Sequence, residues 1–131
     1  MRALLPEGWP RPKGYSNAIS ARGRTIFTAG LIGWDASERL TAEDLAGQFR
    51  QVLANLKAIL AVDGAGPEHV VRMTWYVTDI GEYRSSLGEI GAAYREAMGK
   101  NFPAMAVVEV GALVEPGAKI EIETIAVVPE P

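Results

Sequence analysis

The sequence predicts an α+β domain with the element order β-β-α-β-α-β-β, in which a mixed sheet carries two helices on one face. Three observations predict it. Two segments place apolar residues at three- and four-residue steps, the spacing that makes one helix face apolar. A β-branched and aromatic segment, HVVRMTWYVTD (69–79), lies between them, and strands separated by helices require crossover connections. The last segment, AKIEIETIAVV (118–128), alternates polar and apolar residues with the period of a half-buried strand.

The elements follow in chain order. Residues 1–14 hold Pro6, Pro10 and Pro12, so they read as an extended arm rather than a helix. YSNAI (15–19) reads as a short strand, ARGR (21–24) as a turn, and TIFTAGLIGW (25–34) as a second strand, giving an N-terminal hairpin. The clearest helix runs from Thr41 toward Gly66. Thr41 with Asp44 resembles a capping box, Leu45, Phe49, Val52, Leu56 and Leu60 form its apolar face, and Gly64 and Gly66 stop it. After the 69–79 strand, a second helix sets Tyr83, Leu87, Ile90, Tyr94 and Met98 along one stripe. NFPAMAVVEVGAL (101–113) then reads as a turn and a strand. A sheet covered on one face leaves the other needing cover, so homo-oligomerisation is a physical expectation.

At 131 residues, with 48% hydrophobic and 22% charged residues, the chain suits one domain with one core (1–131). Thirteen basic against 16 acidic residues give a formal charge of −3, which leaves no basic footprint for nucleic acid or an anionic membrane. The absence of cysteine removes disulfides, thiolate nucleophiles and thiolate metal sites, and the lone His69 excludes a multi-histidine zinc site. The N-terminal residues lack a signal-peptide core, and no apolar run reaches the roughly 20 residues that span a bilayer. A soluble, cytoplasmic protein is the expectation.

Few residues carry chemistry by position alone. On the last strand, Ile120 and Ile122 share one face and Glu121 and Glu123 the other. If the isoleucines pack under the helices, the glutamates face solvent or a neighbouring subunit, either as a solvated polar face or as a carboxylate poised for proton transfer. Tyr15, where the arm enters the first strand, either closes a pocket or packs the arm down. Trp34 and Trp75 suit core or interface anchors, and His69 reads as a surface histidine without a partner. GLIGWD (30–35) lacks a phosphate-loop pattern, and no Ser/His/Asp arrangement exists.

Taken in order, PKGYSNAI, IFTAGLIGWD, NLKAIL, GAGPEHVVRMTWYVTD, FPAM and KIEIETIAVV resemble successive motifs of the RidA/YjgF family, the reactive intermediate deaminases. The resemblance spans about Pro12 to Val128. It implies a homotrimer of chorismate-mutase-like subunits with clefts between neighbours. The activity it implies is hydrolysis of small enamine or imine metabolites to 2-keto acids and ammonia, without metal or organic cofactor. An imine carbon is already electrophilic, so a positioned water and a proton shuttle suffice. Position by position, the resemblance makes Tyr15 the pocket tyrosine and Glu121 the glutamate that orients water. Gly30 becomes the glycine of a strand end whose neighbours here are Ala29 and Leu31. It puts Gly30, Leu31, Trp34, Leu87 and Met105 around the substrate.

Met105 is the departure. Active deaminases resembling this chain carry an arginine there, gripping the substrate carboxylate with two charge-assisted hydrogen bonds. Loss of such a buried contact costs on the order of 2–5 kcal/mol, and a thioether offers no donor. The family's asparagine early in the second helix is also replaced in EYRSSLGEIG (82–91). Arg72, Arg84, Lys13 and Lys119 are the cations available to substitute. Three readings follow: a divergent Rid-type hydrolase acting on something other than 2-aminoacrylate, a non-catalytic trimeric metabolite-binding protein, and, last, a ribonuclease, which the net acidity opposes.

Overall fold

The computed structural model describes residues 1–130. Six strands and three helices follow one another: β1 (Arg2–Ala3), β2 (Ile19–Ser20), β3 (Arg24–Phe27), α1 (Leu45–Val62), β4 (Val70–Val77), α2 (Ile80–Ser85), α3 (Leu87–Met98), β5 (Ala104–Glu109) and β6 (Ile120–Val128). The main sheet has the order β3-β6-β4-β5. Strands β4 and β5 run parallel through the α2–α3 crossover, and β6 is antiparallel to both β3 and β4. This is the expected mixed α+β sheet.

Helix α1 turns Leu45, Phe49, Val52, Leu53, Leu56 and Leu60 fully inward. They meet Met73, Trp75 and Val77 of β4 and Ile120 and Ile122 of β6 in the core. Each such side chain removed from water contributes about 1.5–3 kcal/mol, so the period-3.6 and period-2 patterns interlock on one sheet face. Trp75 lies centrally, its ring 4.8 Å from Phe49 and 6.2 Å from Tyr94.

Three expected elements, and the reading of His69, give way. The first concerns the N-terminal hairpin. β2 pairs with β1 of the arm, and β3 pairs with β6, because the central strand β6 offers β3 a whole ladder (Arg24↔Val128 to Phe27↔Ile125) that two-residue β2 cannot match. The strand from Thr25 also ends at Phe27. Beyond it the chain keeps only an isolated bridge, Leu31↔Ile122.

The second is the start of α1. Asp44, not Thr41, is the cap, accepting from the Gly47 N–H at 3.2 Å. Glu82 adds a second carboxylate, accepting from the Leu45 N–H at 2.9 Å while holding the Lys119 ammonium at 2.8 Å. The expected stop holds: Gly64 adopts φ +71 just beyond the helix.

The third is the second helix, which breaks at Ser86 into α2 and α3. Asp79 caps α2 through the Glu82 N–H at 3.0 Å. The break turns Leu87 out to 53% exposure, whereas Ile90, Tyr94 and Met98 remain buried. His69 is also not a free surface group. Its Nδ1 accepts from the Gly66 N–H at 3.0 Å and closes the 3₁₀ turn Pro67–His69.

Gln48 went unnoticed in the sequence although it is wholly buried on the apolar face of α1. Its amide donates to the carbonyls of Ala42 (3.0 Å) and Gly117 (2.9 Å), and its oxygen accepts from the Lys119 N–H at 2.7 Å. Fully bonded in this way, it ties the start of α1 to the entry of β6.

Candidate active site

The residues named from the sequence fall into two open clefts that share no lining residue. The first, of about 520 Å³, is lined by Tyr15, Leu87 and Met105 together with Lys13, Arg95 and a group of rings. The second, of about 510 Å³, is lined by Gly30, Leu31, Trp34 and Glu121. Within one chain the two candidate catalytic residues, Tyr15 and Glu121, are therefore not brought together.

The second cleft is built on β6. Alternation sends Ile120 and Ile122 into the core and leaves Glu121 half-buried on the opposite face. The segment after β3 is stitched to β6 by the Thr28 N–H to the Thr124 carbonyl (2.9 Å). Leu31 and Ile122 exchange both backbone bonds, at 2.8 and 2.9 Å. That register lays Gly30 over Glu121. A Cβ on residue 30 would sit 2.7 Å from the carboxylate carbon of Glu121 and 2.9 Å from its Cγ, so the glycine is what leaves the carboxylate its place. From α1, Asn55 donates to the carbonyls of Trp34 (2.7 Å) and Ile32 (3.3 Å) and is itself bonded by Gln51 at 2.8 Å. Asn55 was not foreseen from the sequence; its place on the helix flank, one position before the buried Leu56, was the available signal.

Glu123 stands on the same strand face, where its carboxylate accepts from the Tyr76 hydroxyl at 2.8 Å. That bond, with the nearby charge, raises the Tyr76 pKa above its ordinary value. Of the two glutamates, Glu121 alone lines the second cleft.

The first cleft is built on β5 and α3. Met105 pairs with Met73 of β4 and packs against the core cluster, as does Val107 opposite Trp75. The arm is fastened beside them. Ser16 donates its N–H to the Pro103 carbonyl at 3.0 Å and its hydroxyl to the Phe102 carbonyl at 2.6 Å, which brings Tyr15 to the rim, 43% exposed. Trp75, Tyr83, Tyr94 and Phe102 supply the aromatic walls, with Tyr94 and Phe102 stacked at 6.0 Å. Burial pushes the Tyr83 and Tyr94 hydroxyls above the ordinary tyrosine range, and the Tyr94 hydroxyl donates to the Asn101 carbonyl.

Of the cations considered for the missing arginine, Lys13 lines this cleft. Lys119 is held by Glu82, and Arg72 lies on the uncovered sheet face beside Thr74 and Glu123. Arg84 lines neither cleft. Arg95, from the last turn of α3, lines the first cleft and was not anticipated.

A family profile described as endoribonuclease L-PSP matches residues 10–128. The chain belongs to the RidA/YjgF family. Among its relatives, the protein DfrA of Myxococcus xanthus is 38% identical over 96% of this chain and 95% of its own. The human 2-iminobutanoate/2-iminopropanoate deaminase is 34% identical over 86% and 79% of the two chains. Among solved structures, YyfB of Yersinia pestis, from the conserved Rid protein family, superposes with a TM-score of 0.85 at 35% identity, covering 97% of this chain and 98% of the other. The RidA/YjgF match spans both clefts, including the strand that holds Glu121 and the one that holds Met105.

No helix among the described residues is long and apolar enough to cross a membrane. Nor does any group of three or more His, Asp or Glu side chains among them converge as metal ligands would.

Proposed function

We propose that the protein hydrolyses the C=N bond of a 2-imino acid, or of its enamine tautomer, with a substrate preference different from that of 2-aminoacrylate deaminases. The observation that carries the reading is the Glu121 carboxylate seated under Gly30 in an open cleft. Water adds to the imine carbon as Glu121 takes one of its protons. The C=N π electrons go to nitrogen, which takes that proton back from Glu121. The resulting amino alcohol expels ammonia as its hydroxyl proton passes by way of Glu121 to the departing nitrogen and the C=O forms. The sum is imino acid plus water giving keto acid plus ammonia, with Glu121 regenerated.

The reading also takes the chain to be a homotrimer in which the Tyr15–Met105 cleft of one subunit faces the Gly30–Glu121 cleft of its neighbour. Two observations support it: the candidate residues divide between two half-sites, and the uncovered sheet face carries exposed apolar groups, Phe27 at 74% and Val108 at 41%. The names of the human, bovine and Salmonella relatives, imine deaminases, point to the same reaction class. A ribonuclease role, which the description of the matching family profile names, is disfavoured because Asp35, Glu115 and Glu121 make the second cleft acidic.

Met105 favours a second reading, a trimer that binds a metabolite without turning it over. Purified protein assayed for ammonia release from 2-aminoacrylate and from bulkier imino acids separates the two. Turnover that disappears in Glu121→Ala is the expected result. Ligand binding with no turnover on any substrate would leave the binding reading standing.

A further inference from the structure

We propose that Arg95 is the carboxylate anchor of the first cleft, replacing from α3 the cation that β5 lacks at Met105, and that this anchor with the aromatic walls selects acids bearing an aromatic side chain. The proposal rests on the hydrolase reading only for the identity of the reacting group. Leu87, Gly91 and Arg95 recur at four-residue steps and line the helical wall of the cleft. A long helical side chain leans back toward the N-terminus, over the preceding turn. Here that turn presents Gly91, and the Arg95 Nη1 lies 3.3 Å from where a residue-91 Cβ would be. The glycine gives the guanidinium a bed along the cleft wall.

The charge pattern fits an anion. No acidic residue lines this cleft, and Arg95 and Lys13 are its two cations. Arg95 takes part in no ion pair among the described residues, whereas the neighbouring Glu96 is engaged by Arg50 at 3.1 Å. An otherwise acidic protein therefore holds a solvent-exposed guanidinium, free of any acidic partner among the described residues, at the edge of an apolar floor. Its planar fork matches a carboxylate better than an ammonium does. Trp75, Tyr83, Tyr94 and Phe102 enclose a space in the size range of small-molecule sites, and rings of this kind favour a flat apolar group over a methylene.

The test compares phenylacetate with its neutral isostere phenylacetamide and with the ringless acid propionate by calorimetry on the wild type, Arg95→Gln, Arg95→Lys and Lys13→Gln, with thermal melts confirming the fold. The wild type should prefer phenylacetate to both, and equal affinity for propionate overturns the aromatic selection. Arg95→Gln should weaken phenylacetate about 10- to 100-fold while phenylacetamide changes less than about twofold, and Arg95→Lys should recover part of the loss. An unchanged carboxylate-to-amide ratio in Arg95→Gln, an equal loss of both ligands, a larger effect from Lys13→Gln, or no binding by the wild type each overturns the proposal. If the preference holds while no imino acid is turned over, the hydrolase reading falls and the anchor stands.

Discussion

Gly30 lies so close over Glu121 that a single Cβ there would come within 2.7 Å of the glutamate's carboxylate carbon. The contact is with the far end of a flexible, half-buried side chain, so it constrains where the carboxylate points more than whether the chain folds. Gly30→Ala should therefore leave thermal stability nearly unchanged and lower imine hydrolysis by roughly 100-fold, the order associated with an ångström-scale misplacement of a catalytic group. Melting curves alongside turnover separate the two effects. A large loss of stability with little loss of activity would reverse the assignment.

Met105 borders both the core and the first cleft, so a longer side chain has an exit toward solvent. Met105→Arg should raise activity on 2-aminoacrylate by at least about tenfold, the low end of what a bidentate carboxylate contact supplies. A folded but inert variant would mean that the missing guanidinium was not the only obstacle.

Gln48 makes three hydrogen bonds from a fully buried position. Gln48→Leu keeps the volume but leaves the Lys119 N–H and two carbonyls without that partner, at a cost of about 2–4 kcal/mol. Urea unfolding should show a lower midpoint with an unchanged slope.

Burial raises the Tyr94 and Tyr83 pKa values in the folded chain. The unfolded chain then releases phenolic protons first, near pH 10, so it binds fewer protons than the native state above that pH. The stabilisation is complete below about pH 10 and declines above it, by up to about 1.4 kcal/mol per pH unit from Tyr94 and by less from the half-exposed Tyr83. Tyr94→Phe should flatten the alkaline fall in stability. At neutral pH it should lose about 0.5–1.5 kcal/mol with the bond to the Asn101 carbonyl. An equally steep alkaline fall in both proteins would count against Tyr94 as its source.

Much of the fold was legible because two periodicities converge on one core. Leu45, Phe49, Val52, Leu56 and Leu60 announce α1, and Ile120 and Ile122 announce β6, without help from distant residues. The alternation also placed Glu121 and Glu123 on the opposite face. What was hidden depends on partners far along the chain. Whether the strand from Arg24 would pair with the Ile19 strand or elsewhere was decided by the ladder β6 offers, which left Ile19 to Ala3 of the arm. The break at Ser86 separates α2, which Asp79 caps, from α3 and leaves Leu87 exposed at the first cleft rather than in the core. Arg95 read as one more polar position of a helix until the bare Gly91 beneath it and the rings facing it were placed in space.

The fastening of the arm by Ser16 has a consequence for how such a site diversifies. Tyr15 and Lys13 are held at the first cleft by two hydrogen bonds from Ser16 to Phe102 and Pro103, with the β1–β2 pairing behind them. The floor of the same cleft, Trp75, belongs to the core. The cleft thus has a floor fixed by folding and a rim that folding scarcely constrains. Changes in the arm can retune which molecules are admitted while the scaffold stays intact.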